Sequence, residues 1–245
     1  MKKLLPIFFS IPLLISCSQA SSLQEHRYEN KKYLVFATTE LQSLELALNN
    51  KQGDVLGSFH SWSKQLKSCQ NLSFAMNAGM YHPSYQPVGL YIENSKQLNA
   101  INVESGEGNF FMQPNGILAW NHKEALVTTT ENWRKIKFDA QYATQSGPML
   151  VADGKIMDQF IKESDSKKIR NGVGIKNGKL FFVISQQRVN FYEFAAFFKE
   201  KLNVEQALYL DGSISSIHAP QINRYDRAFK LGPMLGFIEH QSNCH

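Results

Sequence analysis

Tyr209-Leu-Asp-Gly-Ser-Ile-Ser-Ser216 runs from an apolar strand end into one carboxylate, a glycine and three hydroxyls. Ala207, Leu208, Tyr209 and Leu210 make a continuous apolar run, the pattern of a strand buried on both faces of a sheet. Asp211 is therefore expected at the carboxyl end of a central strand, at the edge of a site. The same residues also fit an Asp-Gly turn that merely joins two strands.

Upstream, Asn190 and Glu193 have the spacing of a capping box, and Phe191, Phe194, Ala195, Phe198 and Leu202 recur at helical intervals. The spacing predicts a helix from 191 to 202, ended by Asn203, with one apolar face against the sheet. Strands are expected at 33–37 and 44–48, a short helix at Phe59, Trp62 and Leu66, and a strand through Phe74, Ala75 and Met76 into Asn77. Hairpin turns are expected at Asn94-Ser95, Asn121-His122, Asp153-Gly154 and Asn177-Gly178. Two or three helices among many short strands predict an α+β class, a mixed and largely antiparallel sheet in one domain over residues 31–245.

The chain opens with Lys2 and Lys3, then an apolar stretch over 4–15 that ends in Leu14-Ile-Ser-Cys17. This reads as a signal peptide over 1–16 with a bacterial lipoprotein box, in which the Cys17 thiol receives lipid. The weaker alternative is cleavage after Ala20. Residues 17–30 are then a lipidated tether, the bilayer is met through that anchor only, and Ser18 fits an outer-membrane protein facing the periplasm. Export implies an oxidising compartment, so Cys69 and Cys244 are expected to form a disulfide. The net charge of +5 is mild and its cations are scattered. Basic and aromatic residues do not interleave, which argues against nucleic acid as a partner.

Polar-glycine clusters follow apolar runs at Asn77-Ala-Gly79, Pro114-Asn-Gly116 with Asn109, Gln145-Ser-Gly147, Arg170-Asn-Gly172 and Asp211-Gly-Ser213. Glycine lets backbone amides approach a ligand, and the neighbouring amides and hydroxyls add directional bonds. Each cluster alone is a turn; together they suggest loops converging on a polyhydroxylated or anionic ligand.

Asn77-Ala-Gly-Met80, Gln145-Ser-Gly-Pro-Met-Leu-Val151, Arg170-Asn-Gly-Val-Gly174 and Tyr209-Leu-Asp-Gly-Ser-Ile-Ser-Ser216 resemble the phosphodiester glycosidase family over about residues 30–240. That family includes the enzyme that uncovers mannose 6-phosphate by removing N-acetylglucosamine from a sugar phosphodiester. Asn77-Ala-Gly79 stands where many relatives have Asn-Gly-Gly, and Asp211-Gly-Ser-Ile-Ser215 where many have Asp-Gly-Gly-Gly-Ser. Both differences add side chains, as in an exported bacterial branch. The resemblance implies a phosphodiester glycosidase-like fold and hydrolysis of a sugar-1-phosphodiester in an envelope glycan or glycopolymer.

The residues themselves suggest roles. Arg170 carries a rigid fork suited to two phosphate oxygens. Asp211 is the carboxylate best placed for glycosidic chemistry, with Glu107 as a second between two glycines. Asn77, Gln145, Ser146, Asn171, Ser213, Ser215 and Ser216 are expected to bind substrate. A Ser213 or Ser216 nucleophile would need His218 as its base. Tyr81, Tyr85 and Trp120 suit stacking on a sugar ring, whereas Phe229 is expected in the core. No cofactor is expected, although oxygen-rich loops can hold a divalent cation such as calcium. Two other readings stay open: a noncatalytic lipoprotein that binds glycan or phosphosugar, and a metal-assisted phosphodiesterase. The glycosidase reading leans on the Arg170 and Asp211 tips meeting in the folded chain, and side chains on opposite sides of the molecule would end it.

Overall fold

The computed structural model describes residues 21–211 and 213–241. Cys17, Cys244 and the signal peptide lie outside the described residues. The chain begins with β1 (Ser21–Tyr28), β2 (Lys31–Thr38), β3 (Leu44–Ala47), the short helix α1 (Phe59–Ser63) and β4 (Gln70–Asn77). Its middle supplies β5 (Tyr91–Glu93), β6 (Lys96–Asn99), β7 (Gly116–Trp120), β8 (Ala125–Thr129), α2 (Thr130–Trp133) and β9 (Tyr142–Ser146). Then come β10 (Met149–Ala152), β11 (Lys155–Ile156), β12 (Asn171–Lys176), β13 (Lys179–Ser185), α3 (Phe191–Ala196) and β14 (Gln206–Asp211). The last strands are β15 (Ile217–Ala219), β16 (Arg224–Tyr225) and β17 (Met234–His240).

These strands form a seven-stranded sheet, β1-β2-β13-β12-β14-β10-β11, and two five-stranded sheets, β16-β15-β4-β17-β3 and β6-β5-β9-β7-β8. Every described strand pairing is antiparallel. The α+β class read from the sequence holds, with few and short helices. No helix among the described residues is long and apolar enough to cross a membrane.

As expected, β14 is an interior strand, and Ala207, Leu208, Tyr209 and Leu210 are fully buried. Strand alternation sends its side chains into two cores. Leu208 and Leu210 join the core between the three sheets, with Phe36, Phe74 and Trp120; Ala207 and Tyr209 join the layer under α3, with Tyr33, Phe194 and Phe198. Strand β2 divides in the same way, Leu34 and Phe36 to one side and Tyr33 and Val35 to the other.

The capping box of α3 forms: the Asn190 side chain accepts from the Glu193 N–H, and Glu193 accepts from the Asn190 N–H. The helix then widens into a π turn over Phe197–Lys201, and Asn203 ends it in the left-handed region at φ 53°. The glycines of Arg170-Asn-Gly-Val-Gly174 explain how this helix sits so close. A Cβ on Gly174 would lie 2.8 Å from the Phe198 ring, and one on Gly172 would lie 2.7 Å from the Leu208 carbonyl oxygen. Losing the Phe198 side chain from this packing is expected to cost about 3–5 kcal/mol.

Three of the four predicted hairpin turns place both central residues at positive φ: Asn94-Ser95, Asp153-Gly154 and Asn177-Gly178. At the fourth, the Asn121 side chain instead accepts from the Lys123 and Glu124 N–H groups, making a longer Asx turn.

The tether expected over 17–30 is corrected in its second half. Ser21–Tyr28 is an edge strand, paired with β2 from Ser21↔Thr38 to Tyr28↔Lys31. Its residues are half-buried or exposed, so β1 derives its structure from the backbone ladder with β2 and lacks the alternation that identifies a strand in sequence.

Candidate functional site

The ends of four strands from all three sheets meet at one place. Asp211 ends β14, Asn171 begins β12, Asn77 ends β4 and Ser146 ends β9. Strand register sets Asn171 opposite Asp211. Asp211 is 7% exposed. One of its carboxylate oxygens accepts from the Ser213 N–H at 2.8 Å, and the other from the Asn77 side-chain amide at 3.3 Å. The Asn77 Oδ1 in turn accepts from Asn171 Nδ2 at 3.0 Å and from the Ser216 N–H at 2.9 Å. Asn77 thus ties β4, β12 and the loop after β14 into one polar knot.

Several predicted ligands serve this knot instead of facing outward. The Ser215 hydroxyl shares its one proton between the Asp211 and Ile169 carbonyls, and Ser216 donates to the Ile214 carbonyl. Ser146 is fully buried and donates to the Leu210 carbonyl at 3.1 Å. Gln145 is a clasp for the segment from Leu90 to Asn102. Its Oε1 accepts from the Leu90 and Asn102 N–H groups, and its Nε2 donates to the Asn102 carbonyl and to Thr130. Ser213 is the exposed member of the set.

The expected Arg170 phosphate clamp is corrected. The side chain lies next to the knot in sequence but is only 1% exposed. Its guanidinium carbon sits 3.8 Å from the centre of the Phe191 ring. Nε donates to the Val189 carbonyl, Nη1 to the Tyr209 hydroxyl and Nη2 to the Ser166 carbonyl, at 2.9, 3.0 and 2.9 Å. Burial pulls the Arg170 pKa down, opposed by Tyr209 beside it; burial also pushes the Tyr209 hydroxyl up. Buried charge needs such saturation with hydrogen bonds, so the fork is spent on the fold; Arg170 lies near Asp211 through Tyr209 but does not share an open pocket with it.

Other expectations divide. Glu107 is exposed in the loop before Asn109 and makes no hydrogen bond or ion pair among the described residues, so nothing joins it to Asp211. His218 turns away toward the Leu72 carbonyl at 3.0 Å and packs on Phe59 and Tyr225, which removes it as a base for Ser213 or Ser216. Trp120 is fully buried and donates to the Leu44 carbonyl, so it cannot stack on a sugar. Tyr81 does border the site: burial, then the charge of Asp211, push its hydroxyl up to about 12. Among the described residues no group of three His, Cys, Asp or Glu is placed to hold a metal ion.

Beside the knot opens a cleft of about 350 Å³ lined by Lys168, Ile169, Arg188, Ser213, Ser215 and Phe229. Its size falls within the range of small-molecule sites. Lys168, Arg188 and Phe229 were missed as site residues. Lys168 sits beside Lys167 and Arg170, a run that reads equally well as a solvated face, Arg188 stands alone between apolar and polar neighbours, and Phe229, expected in the core, is 51% exposed.

A family profile described as phosphodiester glycosidase matches residues 70–237. A protein of Escherichia coli (strain K12), named "Uncharacterized protein YigE", is 39% identical over 209 residues, covering 85% of this chain and 81% of that protein. Among solved structures, a hypothetical protein from Synechocystis superposes with a TM-score of 0.56 at 12% identity, over 90% of this chain and 62% of that one. A protein of Burkholderia pseudomallei K96243 superposes with a TM-score of 0.50 at 11% identity, over 84% of this chain and 73% of that one. At these identities the solved structures attest the fold alone.

Proposed function

Because the chain belongs to the phosphodiester glycosidase family, we propose that it hydrolyses a sugar-1-phosphodiester of an envelope glycan or glycopolymer, with Asp211 as the catalytic carboxylate. The observation that carries this reading is the setting of Asp211. Neutral donors, Ser213 N–H and the Asn77 amide, orient the carboxylate beside a cleft whose charged lining is cationic.

In the proposed step a water oxygen bonds to the anomeric carbon as the bond from that carbon to the phosphate oxygen breaks. The bonding pair leaves on the phosphomonoester, which is stable as an anion, and the surplus proton passes to solvent. Asp211 faces the positive charge that develops at the anomeric carbon. Turnover of a panel of sugar-1-phosphodiesters in water carrying heavy oxygen tests this. Phosphomonoester released without label supports the glycosidase; label on the phosphate replaces it with a metal-assisted phosphodiesterase, and binding without turnover with a glycan-binding role.

The envelope location rests on Leu14-Ile-Ser-Cys17. With β1 starting at Ser21, a lipid on Cys17 would hold the domain close to the bilayer. Ser21 lines a surface hollow with Glu239, which pairs with Asn71 near the start of β4, whereas Asn77 ends that strand. The active end would then face away from the lipid, toward glycan in the surrounding space. Incorporation of radiolabelled palmitate, abolished by Cys17→Ser, is the expected result. The proposed Cys69–Cys244 disulfide has support from Gln241, three residues before Cys244, whose N–H donates to the Cys69 carbonyl at 2.9 Å.

A further inference from the structure

We propose that Lys168 and Arg188 form the anion subsite that holds the substrate phosphate, and that buried Arg170 is the positioning residue that holds them together. The proposal rests on the phosphodiester reading for its substrate, but its geometry is independent of it.

Both cations are exposed and line the same cleft, together with the Ser213 and Ser215 hydroxyls and no carboxylate. Neither makes an ion pair among the described residues. Two unpaired cations at one cleft repel each other, and a bound anion relieves that repulsion. A guanidinium fork beside an ammonium point charge suits a tetrahedral oxyanion.

The pair is held by backbone. Lys168 and Val189 form an isolated antiparallel bridge, with N–H to carbonyl distances of 3.0 and 2.8 Å, so Arg188 is fixed next to Lys168 across two strands of chain. Arg170 braces both segments from beneath, donating to the Ser166 carbonyl on one and the Val189 carbonyl on the other.

The subsite also adjoins the carboxylate. Lys168 Nζ lies 3.4 Å from the Ser213 hydroxyl, and the backbone N–H of Ser213 holds Asp211. A phosphate between Lys168 and Arg188 would set the attached sugar across Ser213 toward Asp211, with the exposed ring of Phe229 as an apolar wall for the sugar face. The leaving phosphomonoester would stay paired with both cations as the carbon–oxygen bond breaks.

Calorimetry on the full chain in detergent micelles tests this, using glucose 1-phosphate, N-acetylglucosamine 1-phosphate, glucose and glucuronate as probes. At least one sugar phosphate is expected to bind, more weakly as salt rises. The Lys168→Ala/Arg188→Ala protein should bind it about a hundredfold more weakly with an unchanged melting temperature. Unchanged affinity in that variant, or no binding of either sugar phosphate by the unaltered protein, overturns the subsite. Glucuronate binding tighter than both phosphates overturns the phosphate assignment. Two measurements separate the two ideas: sugar phosphate binding retained by Asp211→Asn supports a subsite independent of the carboxylate, and binding by an unaltered protein that turns over no substrate refutes the hydrolytic function and leaves the subsite standing.

Discussion

Asn77 and Asp211 lie 134 residues apart in the chain, and the Asn77 side-chain amide donates to the Asp211 carboxylate across 3.3 Å. This bond joins the end of β4 to the end of β14 and so couples two sheets at the carboxylate assigned to catalysis. Replacing Asp211 by Asn keeps its size and removes its charge. Initial rates on an active sugar-1-phosphodiester are expected to fall about a thousandfold, with circular dichroism showing a folded protein.

Asn77→Ala strands the buried Ser216 N–H, removes the Asn77 amide from Asp211, and leaves Asn171 Nδ2 with the Asn77 main-chain carbonyl alone. Loss of about 2–5 kcal/mol in denaturant unfolding is expected. Asn77→Asp restores the acceptor and sets a second carboxylate against Asp211. Like charges this close raise the pKa of the pair, so the acid limb of the pH–rate profile should move to higher pH.

Arg170→Lys tests whether this arginine is a post or a clamp. Lysine cannot reach the Val189 and Ser166 carbonyls and the Tyr209 hydroxyl at once, nor stack flat on Phe191. A loss of about 3 kcal/mol in stability is expected. An Arg170→Lys protein of unchanged stability would overturn the post.

Burial raises the pKa of Glu45, and burial also raises that of its neighbour Glu93, to which the Glu45 charge adds. A carboxyl whose folded pKa exceeds its unfolded value holds its proton more tightly in the folded state. Stability is therefore fullest below the ordinary glutamate pKa and is lost as pH rises through the folded value. Glu45→Gln removes that loss. Its melting temperature should exceed that of the unaltered protein at about pH 8, and the difference should close by about pH 4.

Much of the framework was legible along the chain. The capping box at Asn190, the turns at Asn94-Ser95 and Asn177-Gly178, and the buried run into Asp211 all appear where residue chemistry puts them. The meeting of Asn77, Asn171 and Asp211 also agrees with the motifs that suggested convergent loops. Polar-glycine motifs, however, do not reveal which side of the backbone a side chain takes. Gln145 and Ser146 have the composition of ligands and turn inward as clasps.

By itself, the sequence determines the family, the α+β class and the acidic strand tip. The family is carried by short motifs, and the class and the strand tip depend on capping, turn conformation and apolar runs, which act between residues near one another in the chain. Only the tertiary structure decides that Arg170 is consumed by the fold and that Lys168 and Arg188 share a cleft. Those outcomes depend on burial and on a backbone bridge between distant segments, and a charged side chain in sequence carries no record of which carbonyls will surround it.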